Sequence, residues 1–125
     1  MRDQRLWTWH IAAGTLVLVL LGLHMAIMHL DAPSGLATLN SAKPTDWANV
    51  AARARSGFFM VTYILLLGAA LFHGFYGLRT IVFELNPAPA VKRGVSAVLT
   101  VAGVVLFAFG AFVAWAAWSG FTLGA

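Results

Sequence analysis

The chain has 125 residues, of which 61% are apolar and 10% are charged, and its formal net charge is +4. Soluble domains average roughly 45–50% apolar and about 25% charged residues, so this composition excludes an ordinary soluble domain. Cysteine is absent from the sequence, which excludes disulfides, thiolate-held iron–sulfur clusters and cysteine nucleophiles.

Three runs without a charged residue divide the sequence: 7–30, 57–78 and 94–125. A hydrocarbon core about 30 Å thick needs about 20 helical residues, and each run is long enough. The first run also exceeds the roughly 7–15 apolar residues of a secretory signal, so it is expected to be retained. We predict an all-α membrane protein whose single transmembrane anchor domain (1–125) has three transmembrane helices, at about 7–30, 57–84 and 94–118.

The links between the predicted spans contain clear breaks. Pro33 and Gly35 predict the end of the first helix, and residues 48–55 predict a short interfacial helix before the second span. Pro87 and Pro89 predict the end of the second span, because the residue before a proline disfavours the helical conformation.

The third span contains no ionisable side chain. Its small residues Ser96, Gly103 and Gly110 recur every seven positions, and Trp115 and Trp118 lie near its outer end. A stripe of small residues lets helix backbones approach closely in lipid. We therefore predict that the third span is a packing helix.

The positive charges predict the orientation of the chain. Five lie in the N-terminus and in the link between the second and third spans: Arg2, Arg5, Arg79, Lys92 and Arg93. Three lie in the link between the first and second spans: Lys43, Arg53 and Arg55. The positive-inside rule then places the N-terminus in the cytoplasm and the C-terminus on the outer side of the cytoplasmic (inner) membrane. No basic surface remains outside these links, so nucleic acid is not an expected partner.

Four histidines are the candidates for chemistry: His10, His24, His29 and His73. Ionisable residues within a span are costly and are therefore functional candidates. A proton relay would need carboxylates inside the spans, and a zinc site would need three or four clustered ligands. Haem needs only one axial imidazole on each face, so haem is the predicted cofactor. Nearby glycines would make room for its macrocycle: Gly14, Gly22, Gly74 and Gly77.

Depth separates the histidines. His73 lies 11 residues from Glu84, about 16 Å of helix, and His24 lies 17 residues from Trp7, about 25 Å. If both ligate iron, they belong to two haems, and another chain must supply each opposing imidazole. We predict His24 as the ligand in the first span, with His29 as the alternative. His29 lies near the end of the apolar run and is turned about 140° around the helix from His24.

The segment His73-Gly-Phe-Tyr-Gly-Leu-Arg-Thr-Ile-Val-Phe-Glu-Leu resembles a motif of the D-type membrane anchors of succinate dehydrogenase and fumarate reductase, His-x-x-x-Gly-[Leu/Met]-[Arg/Trp]-x-x-x-x-Asp-Tyr. The three spans and the proline after the second span are similar too. The resemblance implies a membrane-anchor subunit of a succinate:quinone oxidoreductase. Its partners would be a flavoprotein subunit, an iron–sulfur subunit and a second cytochrome b anchor. It implies that His73 ligates a b-type haem, and that His24 or His29 fits a two-haem variant.

The resemblance also implies that the end of the motif helps to form a quinone site. The Asp-Tyr pair of the family reads Glu84-Leu85 in this chain, so the acid is kept and the phenol is absent. His10 is a candidate to replace the phenol as a hydrogen-bond donor, which requires His10 and Glu84 to lie at a similar depth; solvation of these residues at the membrane interface is the alternative. Arg79 is a candidate partner for a propionate of the nearer haem, and Arg53 and Arg55 for one of an outer haem; a role as interfacial anchors is an equal alternative for these arginines.

Three other functions remain open. The first is a haem-free anchor of the same complex, and the second is an integral membrane assembly or regulatory protein. The third is a cytochrome b subunit of another oxidoreductase, such as a hydrogenase or formate dehydrogenase. In the predicted complex the chain itself has no catalytic residue, because the flavin and iron–sulfur sites have no counterpart in it.

Overall fold

The computed structural model describes residues 2–29 and 45–120, with the side chains of residues 4–27 and 45–120. These parts of the chain form four helices: α1 (Arg2–His29), α2 (Trp47–Ala54), α3 (Gly57–Glu84) and α4 (Pro89–Ser119). Three of them are long and apolar enough to cross a membrane, over Gln4–Ile27, Gly57–Glu84 and Pro89–Ser119. The protein is therefore an all-α membrane protein with three candidate spans, as the uncharged runs predict.

Two of the long helices begin earlier than predicted. α1 begins at Arg2 rather than near residue 7, so its charged first turns continue the helix beyond the apolar run. α4 begins at Pro89 rather than near residue 94. Proline is accommodated in the first turn of a helix, where its missing N–H has no helical partner to lose. α4 ends at Ser119, and Gly120 follows it in the left-handed conformation with φ 70°.

The short helix α2 lies against the neighbouring ends of α3 and α4. It covers Trp47–Ala54, one residue earlier than the predicted 48–55. The Trp47 side chain is 79% exposed, whereas Arg53 is buried at 9% exposure. α2 thus directs one face toward the helices and the other outward. The break predicted from Pro33 and Gly35 lies outside the described residues.

α3 is the central helix, because it packs against α1 on one side and against α4 on the other. The predicted stripe of α4 faces α3. A Cβ atom added at Gly103 would lie 3.2 Å from the Phe75 ring, and one added at Gly110 would contact Leu67. Ser96, at the inner end of the stripe, accepts a hydrogen bond from α3. The small residues therefore set the close approach of α3 and α4.

Little apolar surface is buried within the chain. Ala69 of α3 is the buried apolar residue among those described, at 8% exposure. Leu18 and Phe109, on α1 and α4, are 74% and 67% exposed. Lipid tails are as apolar as these side chains, so such helices do not need to enclose them. Most of the surface of the chain is thus available to lipid or to other subunits.

Candidate functional site

α1 and α3 carry the same pattern, His-x-x-x-Gly, at His10–Gly14 and His73–Gly77. The two helices are antiparallel, so each histidine lies on the glycine of the other helix. A Cβ atom added at Gly14 would lie 2.7 Å from Cε1 of His73, and one added at Gly77 would lie 3.3 Å from Cε1 of His10. These two glycines therefore provide the space that the two imidazoles occupy between the helices.

The imidazole rings of His10 and His73 stack on each other. Their centroids are 4.2 Å apart and their planes differ by 3°. Nδ1 of His73 lies 3.1 Å from the backbone carbonyl oxygen of His10. A carbonyl oxygen only accepts hydrogen bonds, so Nδ1 of His73 donates the proton. In the neutral ring the lone pair is then on Nε2, the arrangement in which a histidine binds a metal ion.

His10 itself is incompletely satisfied. Its Nδ1 atom is buried and has no hydrogen-bond partner among the described residues. Its ring also lies 5.2 Å from the ring of Tyr76. A buried polar atom without a partner costs about 1–3 kcal/mol, so such atoms are uncommon in folded proteins. Nδ1 of His10 is therefore a candidate contact for a group that lies outside the described residues.

His10 lies deeper in the helix pair than the sequence predicts. It contacts Gly77, which precedes Glu84 by seven residues, or about 10 Å along α3. Glu84 is exposed at the end of α3, and Leu85 after it is also exposed. The expectation that His10 and Glu84 share one depth is therefore wrong. The physical reason is the early start of α1, whose charged first turns lie beside the end of α3.

His24 lies in the C-terminal half of α1 and faces α3. Its ring meets the Tyr63 ring edge-on, with centroids 5.6 Å apart. In the part of the chain that the structure describes, Nδ1 of His24 is also buried without a hydrogen-bond partner. His24 is ten residues from Gly14, the residue that His73 contacts, so the two imidazoles are about 15 Å apart along the helices. They do not lie where they could bind the same iron.

His29 is the last residue of α1, but its side chain lies outside the described residues. The choice between His24 and His29 as the outer ligand therefore stays a prediction. Within the two described parts of the chain, no three histidine, aspartate or glutamate side chains group together as a metal site would require. The described residues would accordingly supply fewer than three such ligands to a metal-containing group.

Arg79 faces α4 and not the histidine pair. Its Nε donates a hydrogen bond to Oγ of Ser96 at 3.1 Å, and its guanidinium lies 4.2 Å from the centroid of the Phe83 ring. Arg79 is six residues from His73, which turns it about 120° away around α3. We therefore do not assign Arg79 to a propionate of a haem at His73.

The other two arginines lie at the opposite end of the helices. Arg53 is buried on α2, whereas Arg55 follows α2 and is exposed. Both are close in sequence to the outer end of α3, which begins at Gly57. Their pairing with an outer haem stays a prediction.

Two contacts of this region were missed from the sequence. The stack of His10 on His73 had a signal, namely the repeated His-x-x-x-Gly pattern on two antiparallel helices. The hydrogen bond from Arg79 to Ser96 had none, because Ser96 belongs to a stripe of small residues that packing alone explains.

A comparison with known proteins finds a relative of this chain. The chain is 30% identical over 107 residues to the succinate dehydrogenase hydrophobic membrane anchor subunit of Archaeoglobus fulgidus, and the match covers 86% of this chain and 84% of that protein. Only 18 of the 125 residues fall outside a match of 107 residues, so part of each span lies within it. No family model and no solved structure matches the chain.

Proposed function

Because this chain belongs to the succinate dehydrogenase hydrophobic membrane anchor subunits, we propose that it attaches the flavoprotein and iron–sulfur subunits of a succinate:quinone oxidoreductase to the membrane and carries part of the electron path to quinone. The observation that supports the electron-transfer role is the His73 imidazole, which α1 and α3 hold with its lone pair on Nε2. The flavin and iron–sulfur steps of the reaction belong to the partner subunits.

In this proposal His73 would hold a b-type haem, which would supply one-electron transfer when bound. The residues of the chain fit such a group. A histidine that ligates a metal commonly donates its other ring N–H to a carbonyl or carboxylate, and Nδ1 of His73 donates to the His10 carbonyl. That bond fixes the ring orientation and leaves Nε2 as the ligating atom.

A second imidazole for this haem would come from a second, cytochrome b-type anchor subunit. His10 would not supply it, because its ring is stacked face to face on His73 at a centroid distance of 4.2 Å, which leaves no space for a macrocycle between the two rings. His24 is about 15 Å away along the helices. The haem at His73 is therefore shared between two chains.

A second haem would be held by His24, again together with the other anchor. The space enclosed around His24 by α1 and α3 is about 10 Å³, which is about the minimum for one water molecule. A macrocycle does not fit between these two helices, so it would lie on the outer surface of the pair. Nδ1 of His24 is itself buried, so the contact with such a group would have to be made by Nε2.

Quinone would be reduced at the end of α3, on the cytoplasmic side of the inner membrane in the predicted orientation. The exposed Glu84 marks this end, where an iron–sulfur subunit would dock. Because His10 lies about 10 Å deeper, Glu84 and His10 would contact a quinone at different depths, or only one of them would.

A haem-free anchor of the same complex is the second candidate. One observation favours it: His73 already has a hydrogen-bond partner and a stacked neighbour within the chain, so packing alone satisfies much of its side chain.

The deciding experiment is purification of the complex through a tag on this chain, followed by identification of its subunits and a reduced-minus-oxidised spectrum. We expect a flavoprotein, an iron–sulfur protein, a second anchor and a low-spin b haem. A complex without haem supports the second candidate. Hydrogenase or formate dehydrogenase subunits in the preparation would replace both candidates with another oxidoreductase.

A further inference from the structure

A groove with a volume of about 520 Å³ runs between α3 and α4, and neither His10 nor His73 belongs to its lining. Its walls are apolar over most of its length and include the aromatic rings of Phe72, Phe75 and Phe107. One charged side chain, Arg79, lines it, beside Ser96 near the turn between the two helices. The groove thus combines an apolar body with a cationic end.

The length of the groove matches one leaflet of a bilayer. Along α3 its lining extends from Arg79 to Gly68, eleven residues or about 16 Å of helix. Half of a hydrocarbon core of about 30 Å is about 15 Å. Arg79 precedes the end of α3 at Glu84 by five residues, and a long arginine side chain extends toward the headgroup layer from such a depth.

The cationic end carries uncompensated charge. The Arg79 guanidinium and the Lys92 ammonium approach the same aromatic ring, that of Phe83, at 4.2 Å and 5.8 Å from its centroid. The hydrogen bonds of these two cations go to neutral groups, Oγ of Ser96 and Oδ1 of Asn86. In the described residues neither cation forms an ion pair with a carboxylate. Arg79 uses Nε for Ser96, which leaves its terminal N–H groups as donors for an anion.

We propose that this groove binds an anionic phospholipid from the leaflet that the α3–α4 turn faces. Its phosphate contacts Arg79 and Lys92, and one acyl chain lies along Phe72 and Phe107. A phosphate offers two acceptor oxygens to a guanidinium, and it supplies the negative charge that the groove lacks. A neutral quinone does not supply that charge. An apolar helix from another subunit would bury Arg79 without a counter-ion, which is costly. The proposal does not depend on haem.

The test uses the purified complex after delipidation in detergent. Phosphatidylglycerol or phosphatidylcholine with the same acyl chains is added, and the lipids that stay bound are counted by native mass spectrometry. We expect preferential retention of phosphatidylglycerol. Because hydrogen bonds to charged groups are the stronger class, Arg79→Gln should weaken this retention by about tenfold or more. Arg79→Lys keeps the charge but loses the planar guanidinium group. Its retention of phosphatidylglycerol should lie between that of the wild type and that of Arg79→Gln.

Two control pairs separate a site from general attraction. Arg93→Gln removes the same charge from an exposed position near the same end of the helices, and it should leave retention unchanged. Val104→Trp fills the groove and should abolish retention, whereas Val105→Trp, at a position outside the groove lining, should not. If the Arg79 variants fail to assemble, as judged by subunit composition, the valine pair carries the test.

Several outcomes would overturn the proposal. These are equal retention of the two lipids, a wild-type result for Arg79→Gln, or an equal loss in Arg93→Gln. If glycerol phosphate alone displaces the lipid, the site binds only the phosphate and the groove does not bind an acyl chain. A cross-link from Val104 to a helix of another subunit would show that protein, not lipid, covers the groove.

Discussion

The space that Gly14 leaves for the His73 imidazole can be tested with a single methyl group. In Gly14→Ala the new Cβ would lie 2.7 Å from Cε1 and 2.9 Å from Nδ1 of His73, and ordinary contact begins at 3.4 Å. The ring must therefore withdraw by about 0.7 Å at Cε1, as expected when an extra carbon enters a filled space. The flat side of the ring is already occupied by His10 at a centroid distance of 4.2 Å.

The expected cost follows from what the ring loses. Overpacking costs about 1–3 kcal/mol. Stretching the 3.1 Å hydrogen bond from Nδ1 of His73 to the His10 carbonyl oxygen costs up to about 1 kcal/mol more. The better helix propensity of alanine returns about 1 kcal/mol. If this net loss of about 1–3 kcal/mol falls on the His73 geometry in which Nε2 binds, the hold on a group bound there weakens by about 5- to 150-fold. We therefore expect Gly14→Ala to lower the haem content of the complex or to shift the midpoint potential of the haem at His73.

The assay is haem per flavin in the purified complex, together with a redox titration. Gly94→Ala is the matched control, because it makes the same change within α4 where no atom lies within 4 Å of the added Cβ. Gly74 and Gly22 also face open space, but they lie on the two helices that would adjoin a haem. Wild-type haem content and potential in Gly14→Ala, or an equal loss in Gly94→Ala, would refute the reasoning.

Three further substitutions test the proposed cofactor and quinone sites. His73→Ala should remove one low-spin b haem signal from the assembled complex, and an unchanged spectrum would exclude His73 as a ligand. Loss of the outer haem in His24→Ala but not in His29→Ala is expected, and the reverse result in haem stoichiometry would exchange the two assignments. Glu84→Ala should lower the rate of quinone reduction by about tenfold, as loss of a charge-assisted hydrogen bond implies. His10→Ala should instead disturb the haem spectrum. If quinone kinetics change in His10→Ala but not in Glu84→Ala, the quinone binds at the deeper position, near His10.

The fold could be predicted because its strongest signals are local. Uncharged runs of sufficient length define spans without any tertiary information, and the end of α3 at Glu84 follows from Pro87 and Pro89. The start of α4 was harder to place. Pro89 disfavours a helix before it but accommodates one after it, so the sequence does not say how soon after the proline a helix begins. In the structure α4 begins at Pro89 itself.

The sequence singles out candidate residues for the site but not their arrangement. His73 and His24 are conspicuous because ionisable residues are rare inside spans. The position of His10 depends on the register between α1 and α3, and an assumed membrane boundary at Trp7 and Glu84 gave the wrong register. The correct one was encoded in the two glycines, Gly14 and Gly77, that receive the imidazoles.

The small amount of apolar surface enclosed by the chain has a consequence for its lifetime in the cell. In the described part of the chain Ala69 is the buried apolar residue, and two imidazole nitrogens of α1 are buried without a hydrogen-bond partner. Such a subunit gains much of its stability from its neighbours. We expect a copy that is made without the second anchor to be an orphan subunit and a substrate for membrane quality-control proteases. A pulse-chase comparison would measure this: equal half-lives of the chain with and without the second anchor would show that the three helices are stable alone.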